Sequence, residues 1–129
     1  MKKIKVADAT GPVLDWLVAK AAGIETYKSL TPIYWEDDRT QVPFEPSTDW
    51  AQGGPIIERE HLSVYPFFID GRMSGWSSCD PHHLQYDENG EIIEGSDFVT
   101  DGPTALIAAM RCYVISKLGP EVEVPEELS

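Results

Sequence analysis

Cysteine and histidine fall close together at one place in the chain, and this pattern is typical of metal chemistry. Cys79 is followed by His82 and His83, and His61 lies earlier in the sequence. Zinc prefers cysteine and histidine as ligands, and two intervening residues give a workable spacing. A structural zinc site needs four ligands, and the sequence identifies no second cluster to complete one. We therefore interpret the segment as a polar loop and expect neither a metal nor another cofactor.

A short segment in the first half combines hydroxyls, a carboxylate, an indole and a carboxamide. These groups belong to Ser47, Thr48, Asp49, Trp50 and Gln52. Ser47 or Thr48 is suited to cap a helix, and the free N–H groups of a helix start can hold a small polar or anionic ligand. The competing interpretation, which we prefer, is a capped helix with Trp50 in the core.

Arg111 is the one charge in the interior of a largely apolar stretch that runs from residue 102 to residue 119, where Lys117 lies near the end. The simpler interpretation is that its long side chain extends to the surface. The alternative is a contact with an anion or a carboxylate, so Arg111 is retained as a sixth candidate ligand-binding residue. The sequence shows no phosphate-binding loop, no Ser/His/Asp order and no catalytic carboxylate pair. We therefore expect a protein that is not an enzyme.

The stretch that contains Arg111 predicts the central helix of the fold. Pro103 suits a first helical position, Asp101 or Gly102 can serve as the N-cap, and Gly119 can end the helix. Apolar or small residues occupy most of its circumference. A helix of this kind is usually buried between neighbouring elements.

Two shorter helices are predicted before the central one. The first covers residues 11–23, with a Gly-Pro start and a glycine at its end. The second covers residues 47–60. Gly53 and Gly54 should weaken or kink it, and Pro55 should restart it. Trp16 lies off the apolar face of the first helix, where we expect a partly buried edge of the core.

Extended segments account for much of the remaining chain. Pro66 places its strand at an edge or a bulge, and Asp70-Gly71 predicts a turn. The predicted segments are residues 2–6, 62–69, 73–79, the two arms around Asn89-Gly90, and 121–124.

These elements predict an α+β fold: a single-domain sandwich over residues 1–129, with an antiparallel sheet covered by about three helices. Residues 24–46 are interpreted as a long loop, of a length that is often functional. Residues 121–129 form an acidic tail.

Charge limits the classes of partner. The chain has 129 residues, 22 of them acidic and 10 basic, which gives a formal net charge of −12. Binding to nucleic-acid phosphates needs clustered basic residues, so we exclude it. Such acidity usually serves solubility, and the alternative is a surface for a basic partner, including a site that normally holds DNA. No apolar run is long enough to span a membrane, and two cysteines are too few for a disulfide framework. We therefore expect a cytoplasmic protein.

Three segments together resemble the NinX-type proteins of tailed bacteriophages and prophages. They are residues 14–21, residues 46–60, and residues 102–119 with 121–125. The order of elements is also similar to the phage α-β-α sandwich domain. The resemblance implies a small accessory protein made during infection, and it supplies no established activity or catalytic residue.

Two functional hypotheses follow. The favoured one is a non-catalytic protein that binds a macromolecule, with a protein partner met through the acids of residues 87–101 and the tail, as in the modulation of a host defence. The alternative is a binder of a small molecule or nucleotide that uses Asp49, Trp50, Gln52 and aromatic residues between 27 and 44. An exposed tryptophan or a proline-broken edge strand could also support a homodimer.

Overall fold

The computed structural model describes residues 2–24, 33–35, 41–79, 88–90 and 99–128, and these ranges confirm an α+β fold. The α-helices in these ranges are α1 (Gly11–Ala22), α2 (Trp50–Glu60) and α3 (Ala105–Leu118). The strands are β1 (Lys2–Lys5), β2 (Ile33–Trp35), β3 (Gln41–Pro43), β4 (Ser63–Ile69), β5 (Arg72–Cys79), β6 (Val99–Gly102) and β7 (Glu121–Val124).

The helix α3 is the central helix, as predicted, but its predicted start was wrong. Thr104, rather than Asp101 or Gly102, is the N-cap, and its Oγ1 accepts the N–H of Ile107 at 3.1 Å. Asp101 and Gly102 belong to strand β6, so they are not free to begin a helix. Gly119 ends α3 with a φ of 93°, a conformation that favours glycine.

The core forms where α3 meets its neighbours. This helix contacts the sheet of β4, β5 and β6, and it also contacts α1 and α2. Leu14, Leu17 and Val18 of α1 are fully buried, as are Met110 and Val114 of α3. A helix that is apolar around most of its circumference needs cover on more than one side, and α3 has it.

The bounds of α1 agree with the sequence prediction. Gly23 adopts a left-handed conformation with a φ of 80°, and its N–H binds the carbonyls of Ala19 and Lys20. Trp16 is more deeply buried than we expected, with 5% of its surface exposed.

The predicted interruption of the second helix is wrong, because α2 is continuous through Gly53, Gly54 and Pro55. Pro55 is the sixth of the 11 residues of α2, so its missing N–H costs one intrahelical hydrogen bond in the middle of the helix. The position of Gly53 has no room for a side chain. A Cβ at this position would lie 2.6 Å from Leu106 Cδ2 and would also meet the Pro46 carbonyl. A close approach between elements therefore explains a glycine that local propensity treats as a breaker.

The three-stranded sheet has the antiparallel order β4-β5-β6. Strand β4 contains Pro66 and lies at an edge of this sheet, as predicted for a strand that cannot donate every backbone N–H. The register shifts between Phe67 and Phe68. Asp70 and Gly71 form the predicted turn, both with positive φ.

The first and last strands pair with each other. Lys2 lies opposite Val124, and Lys5 lies opposite Glu121, in an antiparallel register. Val122 and Val124 are buried, and Lys3 Nζ lies 3.2 Å from a Glu121 carboxylate oxygen. The extended ends that the sequence predicts therefore form one two-stranded sheet.

The segment interpreted as a long loop, residues 24–46, contains the short antiparallel pair β2–β3. The turn at residues 88–90 is described, whereas the two predicted arms around it lie outside the described residues. In the described ranges, no helix has both the length and the apolar character needed to span a membrane.

Candidate functional site

Asp49, and not Ser47 or Thr48, caps the helix at the predicted site. Its Oδ1 accepts the N–H of Ala51 at 2.9 Å. Ser47 and Thr48 instead lie in the preceding turn, where the N–H groups of Thr48 and Asp49 bind the Glu45 carbonyl. The Asp49 carboxylate is thus committed to the helix start, which limits its use for a ligand.

The Ser47 backbone holds a buried carboxylate that sequence reasoning missed. Its N–H donates to Oδ1 of Asp15, in α1, at 2.9 Å, and both residues are buried. Burial raises the pKa of Asp15 above its ordinary value, and hydrogen bonding by Ser47 offsets part of this effect. The carboxylate of Glu45 raises the pKa further. This contact ties α1 to the turn that precedes α2.

Gln52 is also used to hold the chain together. Its Nε2 donates to the Pro43 carbonyl at 2.9 Å, and its Oε1 accepts the N–H of Glu45. It faces a cleft of about 240 Å³ that Phe44 and Arg59 also line. Both ends of the Gln52 carboxamide are therefore engaged by the backbone.

Three of the predicted site residues line one cleft. Together with the first turn of α3 and its N-cap Thr104, Ser47, Thr48 and Trp50 line a volume of about 230 Å³. Trp50 is 58% exposed, so the interpretation that placed it in the core was wrong. The predicted cluster is thus divided between two clefts, and Thr48 and Trp50 are its exposed members.

Arg111 is separate from that cluster and does not extend to the surface, contrary to the simpler interpretation. It is 8% exposed; its Nε donates to the Ala9 carbonyl at 2.9 Å, and its Nη1 donates to the Asp101 carbonyl at 2.7 Å. Burial lowers its pKa, and the carboxylates of Asp8 and Asp101 oppose this. The side chain joins α3 to two other segments, so its role in the described structure is to hold the fold.

The metal candidate can be followed only in part. Cys79 lies at the end of β5, with its Sγ 2.8 Å from Ser63 Oγ. His82 and His83 lie outside the described residues. Across the ranges that are described, no group of three potential ligands could hold a metal ion.

Four large apolar side chains are exposed on the hairpin of β4 and β5. They are Tyr65 (43% exposed), Phe68 (61%), Ile69 (59%) and Met73 (49%), and we call these four residues the apolar hairpin. Among the described residues, Trp50 is the one other large hydrophobic side chain that is exposed. Exposed apolar side chains that are grouped in this way make the apolar hairpin a candidate interaction site.

Sequence reasoning identified the two strands of this hairpin but missed its exposure. The signal was available in Phe67, Phe68 and Ile69, which are consecutive. Neighbouring residues of a strand point to opposite faces, and α3 can cover only one face. Some of these side chains must therefore remain exposed unless another element or molecule covers them.

Comparison with known proteins gives one result. The model of the family described as Bacteriophage P22, NinX matches residues 5–117. No curated protein matches the chain significantly. The matched range includes α1, α2, the apolar hairpin and nearly all of α3.

Proposed function

The chain belongs to the NinX family of bacteriophage proteins, and on this premise we propose that it is a non-catalytic accessory protein that acts by binding another protein. The apolar hairpin is the observation that supports this function. A hairpin that exposes four large apolar side chains lowers its free energy when a partner removes them from water.

The polar groups of the predicted site support a non-catalytic function. Of the predicted site residues, Asp49, Gln52 and Arg111 bind backbone groups of this chain through their side chains. Asp15, which was not predicted, does the same. Groups that are engaged in this way stabilise the fold and are poorly placed to exchange protons with a substrate. The net charge of −12 also disfavours contact with nucleic-acid phosphates.

Site-specific photo-crosslinking tests the proposed function. A benzophenone amino acid replaces Phe68 in the full chain, and cells that make this protein during phage infection are illuminated. The expected result is a covalent adduct with a defined protein, which mass spectrometry identifies. The matched control carries the same amino acid in place of Lys3, which lies on the β1–β7 sheet and is also exposed.

An adduct at position 68 that is absent at position 3 supports binding through the apolar hairpin. Absence of any adduct at position 68, in infected and uninfected cells alike, contradicts it. Equal adducts at both positions would also contradict it, because they would show contact without preference for the hairpin.

Binding of a small molecule is a second candidate function, and the cleft beside Trp50 is the observation that favours it. The exposed indole offers a flat apolar surface. Thr48 and Thr104, which carry hydroxyl groups, line the same cleft. Native mass spectrometry of gently purified protein should then detect a retained ligand. Trp50→Ala should release it, whereas Lys3→Ala should not. A mass equal to that of the bare chain would contradict this candidate.

A further inference from the structure

We infer, on the basis of the function proposed above, that the protein which covers the apolar hairpin is a second copy of this chain. Two hairpins would pack tip against tip around a two-fold axis. In such a dimer the hairpin of one copy contacts the equivalent hairpin of the other copy, so this surface must be complementary to itself.

The apolar part of the hairpin is suited to this packing. Phe68 lies opposite Met73 in the antiparallel register, and side chains of directly opposed residues share one face of a hairpin. Ile69 is the next residue and lies opposite Arg72 at the end of the strand. Both faces of the tip therefore carry a large exposed side chain, which lets a second tip contact the first from either side.

The charges at the tip are also complementary to themselves. Asp70 and Arg72 are both exposed, and among the described residues neither side chain forms an ion pair. A two-fold axis near Gly71 would bring Asp70 of one copy towards Arg72 of the other. The tip is locally neutral, whereas the chain as a whole carries a charge of −12. Two copies therefore repel each other less at this tip than at the acidic parts of the surface.

Addition of one strand to another is a less suitable way to associate. Strand β4 lies at a sheet edge, but Pro66 has no N–H to donate, and the register shift at Phe67 disturbs the ladder beside it. Both features are devices that prevent edge-to-edge pairing. Association through side chains at the tip then closes into a dimer and does not extend into a fibre.

Size and charge make this dimer weak and sensitive to salt. A standard interface contains about 20–30 residues on each side, and the hairpin tip supplies far fewer. The repulsion between two acidic chains is screened as ionic strength rises, because the Debye length falls from about 10 Å at 0.1 M to about 3 Å at 1 M. Self-association should therefore strengthen with added salt. Binding to a basic protein would weaken under the same change.

Sedimentation velocity of the purified full chain tests the inference. The protein is measured from about 1 to about 100 μM, a range that spans the dissociation of weak complexes, in low and high NaCl. The expected result is a monomer–dimer equilibrium that shifts to dimer at high salt. The double variant Phe68→Ser/Ile69→Ser should raise the dissociation constant at least about tenfold, as expected when central anchors are removed.

Two further variants separate this result from a general change in the protein. Trp50→Ser removes an equally exposed aromatic side chain from another surface, and it should leave the dimer unchanged. Arg72→Glu leaves all apolar side chains in place but sets like charges against each other across the two-fold axis, and it should weaken the dimer. All three changes lie at exposed positions, so circular dichroism should show the wild-type fold.

The possible outcomes test the inference and the proposed function separately. A monomer at every concentration overturns the inference, and so does a dimer that survives the double variant at the hairpin. If the purified chain is monomeric while position 68 still crosslinks to a different protein in cells, the inference fails and the proposed function stands. If position 68 crosslinks to nothing, both fail.

Discussion

Asp15 is the residue whose environment departs most from what its chemical type predicts. It is an acid on a buried part of α1, and it accepts one backbone N–H, from Ser47. Burial disfavours the charged form, so the pKa of Asp15 is raised from 3.8. Between pH 3.8 and the raised pKa, Asp15 is more fully protonated in the native state than in the unfolded state. The contribution of Asp15 to stability therefore falls as pH rises through this interval.

Asp15→Asn should remove this dependence on pH. The amide oxygen can still accept the Ser47 N–H, and the variant carries no charge to desolvate. We expect the variant to be more stable than the wild type at pH 7 and to approach it as pH falls towards 4. Urea unfolding at both pH values measures the difference, and a variant that is less stable at pH 7 would contradict the expectation.

Asp15→Ala provides the matched control, because it removes the acceptor as well as the charge. The Ser47 N–H would be buried without a partner, which costs about 1–3 kcal/mol. This loss should be present at acidic and at neutral pH. Equal effects of the alanine and asparagine variants would show that the hydrogen bond from Ser47 does not contribute.

Residue types alone predicted the roles of Asp15 and Arg111 poorly, and for a common reason. The sequence shows that Asp15 lies in a helix and that Arg111 lies in an apolar stretch. It does not show which backbone groups of distant segments face them. Arg111 binds the carbonyl of Ala9, which is far away in the chain, and such a partner is set by tertiary packing. The same limit applies to Trp50, whose exposure depends on the position of α3.

At the scale of elements, the contact between α2 and α3 gives a clear pair of variants. Gly53 and Gly54 are neighbours in one helix, so alanine should favour the helix equally at both positions, by up to about 1 kcal/mol. Gly54 has room, because an added Cβ would lie 4.0 Å from Trp50 Cε3. Gly53 has none, because Leu106 and Pro46 are too close.

We therefore expect Gly54→Ala to stabilise the protein and Gly53→Ala to destabilise it. The cost at Gly53 should be about 1–3 kcal/mol, the range typical of overpacking. Thermal or urea unfolding of the two variants measures the difference directly. Stabilisation by both variants would show that α2 does not approach Pro46 and Leu106 as closely as described.

Element positions were largely predictable, and their starts were less so. The spacing of apolar residues and the Gly-Pro steps predicted all three helices, and alternation predicted β1 and β4. The Asp70-Gly71 turn predicted β5 as the partner of β4, and β7 was predicted as an extended segment. The caps were wrong for α2 and α3, because several capping residues stand side by side and packing decides which of them is used. The kink predicted for α2 was wrong because propensity measures the cost of a glycine and not the space that it leaves.

At the scale of the whole molecule, the net charge of −12 is the dominant electrostatic feature. Like charges on one compact chain repel each other, and salt screens this repulsion more in the folded state, where the charges are closer. We expect the Tm to rise by a few degrees as NaCl is raised, which corresponds to about 1 kcal/mol.

Differential scanning calorimetry over a range of NaCl concentrations measures this effect. Sucrose is the matched control, since it strengthens burial without screening charge. A Tm that falls with NaCl would show that ion pairs such as Lys3–Glu121 outweigh the repulsion. At this scale the sequence was most informative: it predicted the α+β class and the family, because both depend on the whole pattern and not on single contacts.

The pairing of β1 with β7 also has a consequence for the time at which the fold can be completed. Lys2 cannot pair until Val124, its partner in the register, has been synthesised. The Val6 N–H likewise cannot form its hydrogen bond until the Pro120 carbonyl is present. Ribosomes add about 5–20 residues per second, so β1 leaves the ribosome on the order of ten seconds before its partner exists. The elements between them can form earlier, whereas the sheet of β1 and β7 can assemble only after residue 124 has been made. Until then Val6, which is fully buried in the finished fold, remains accessible to chaperones and proteases.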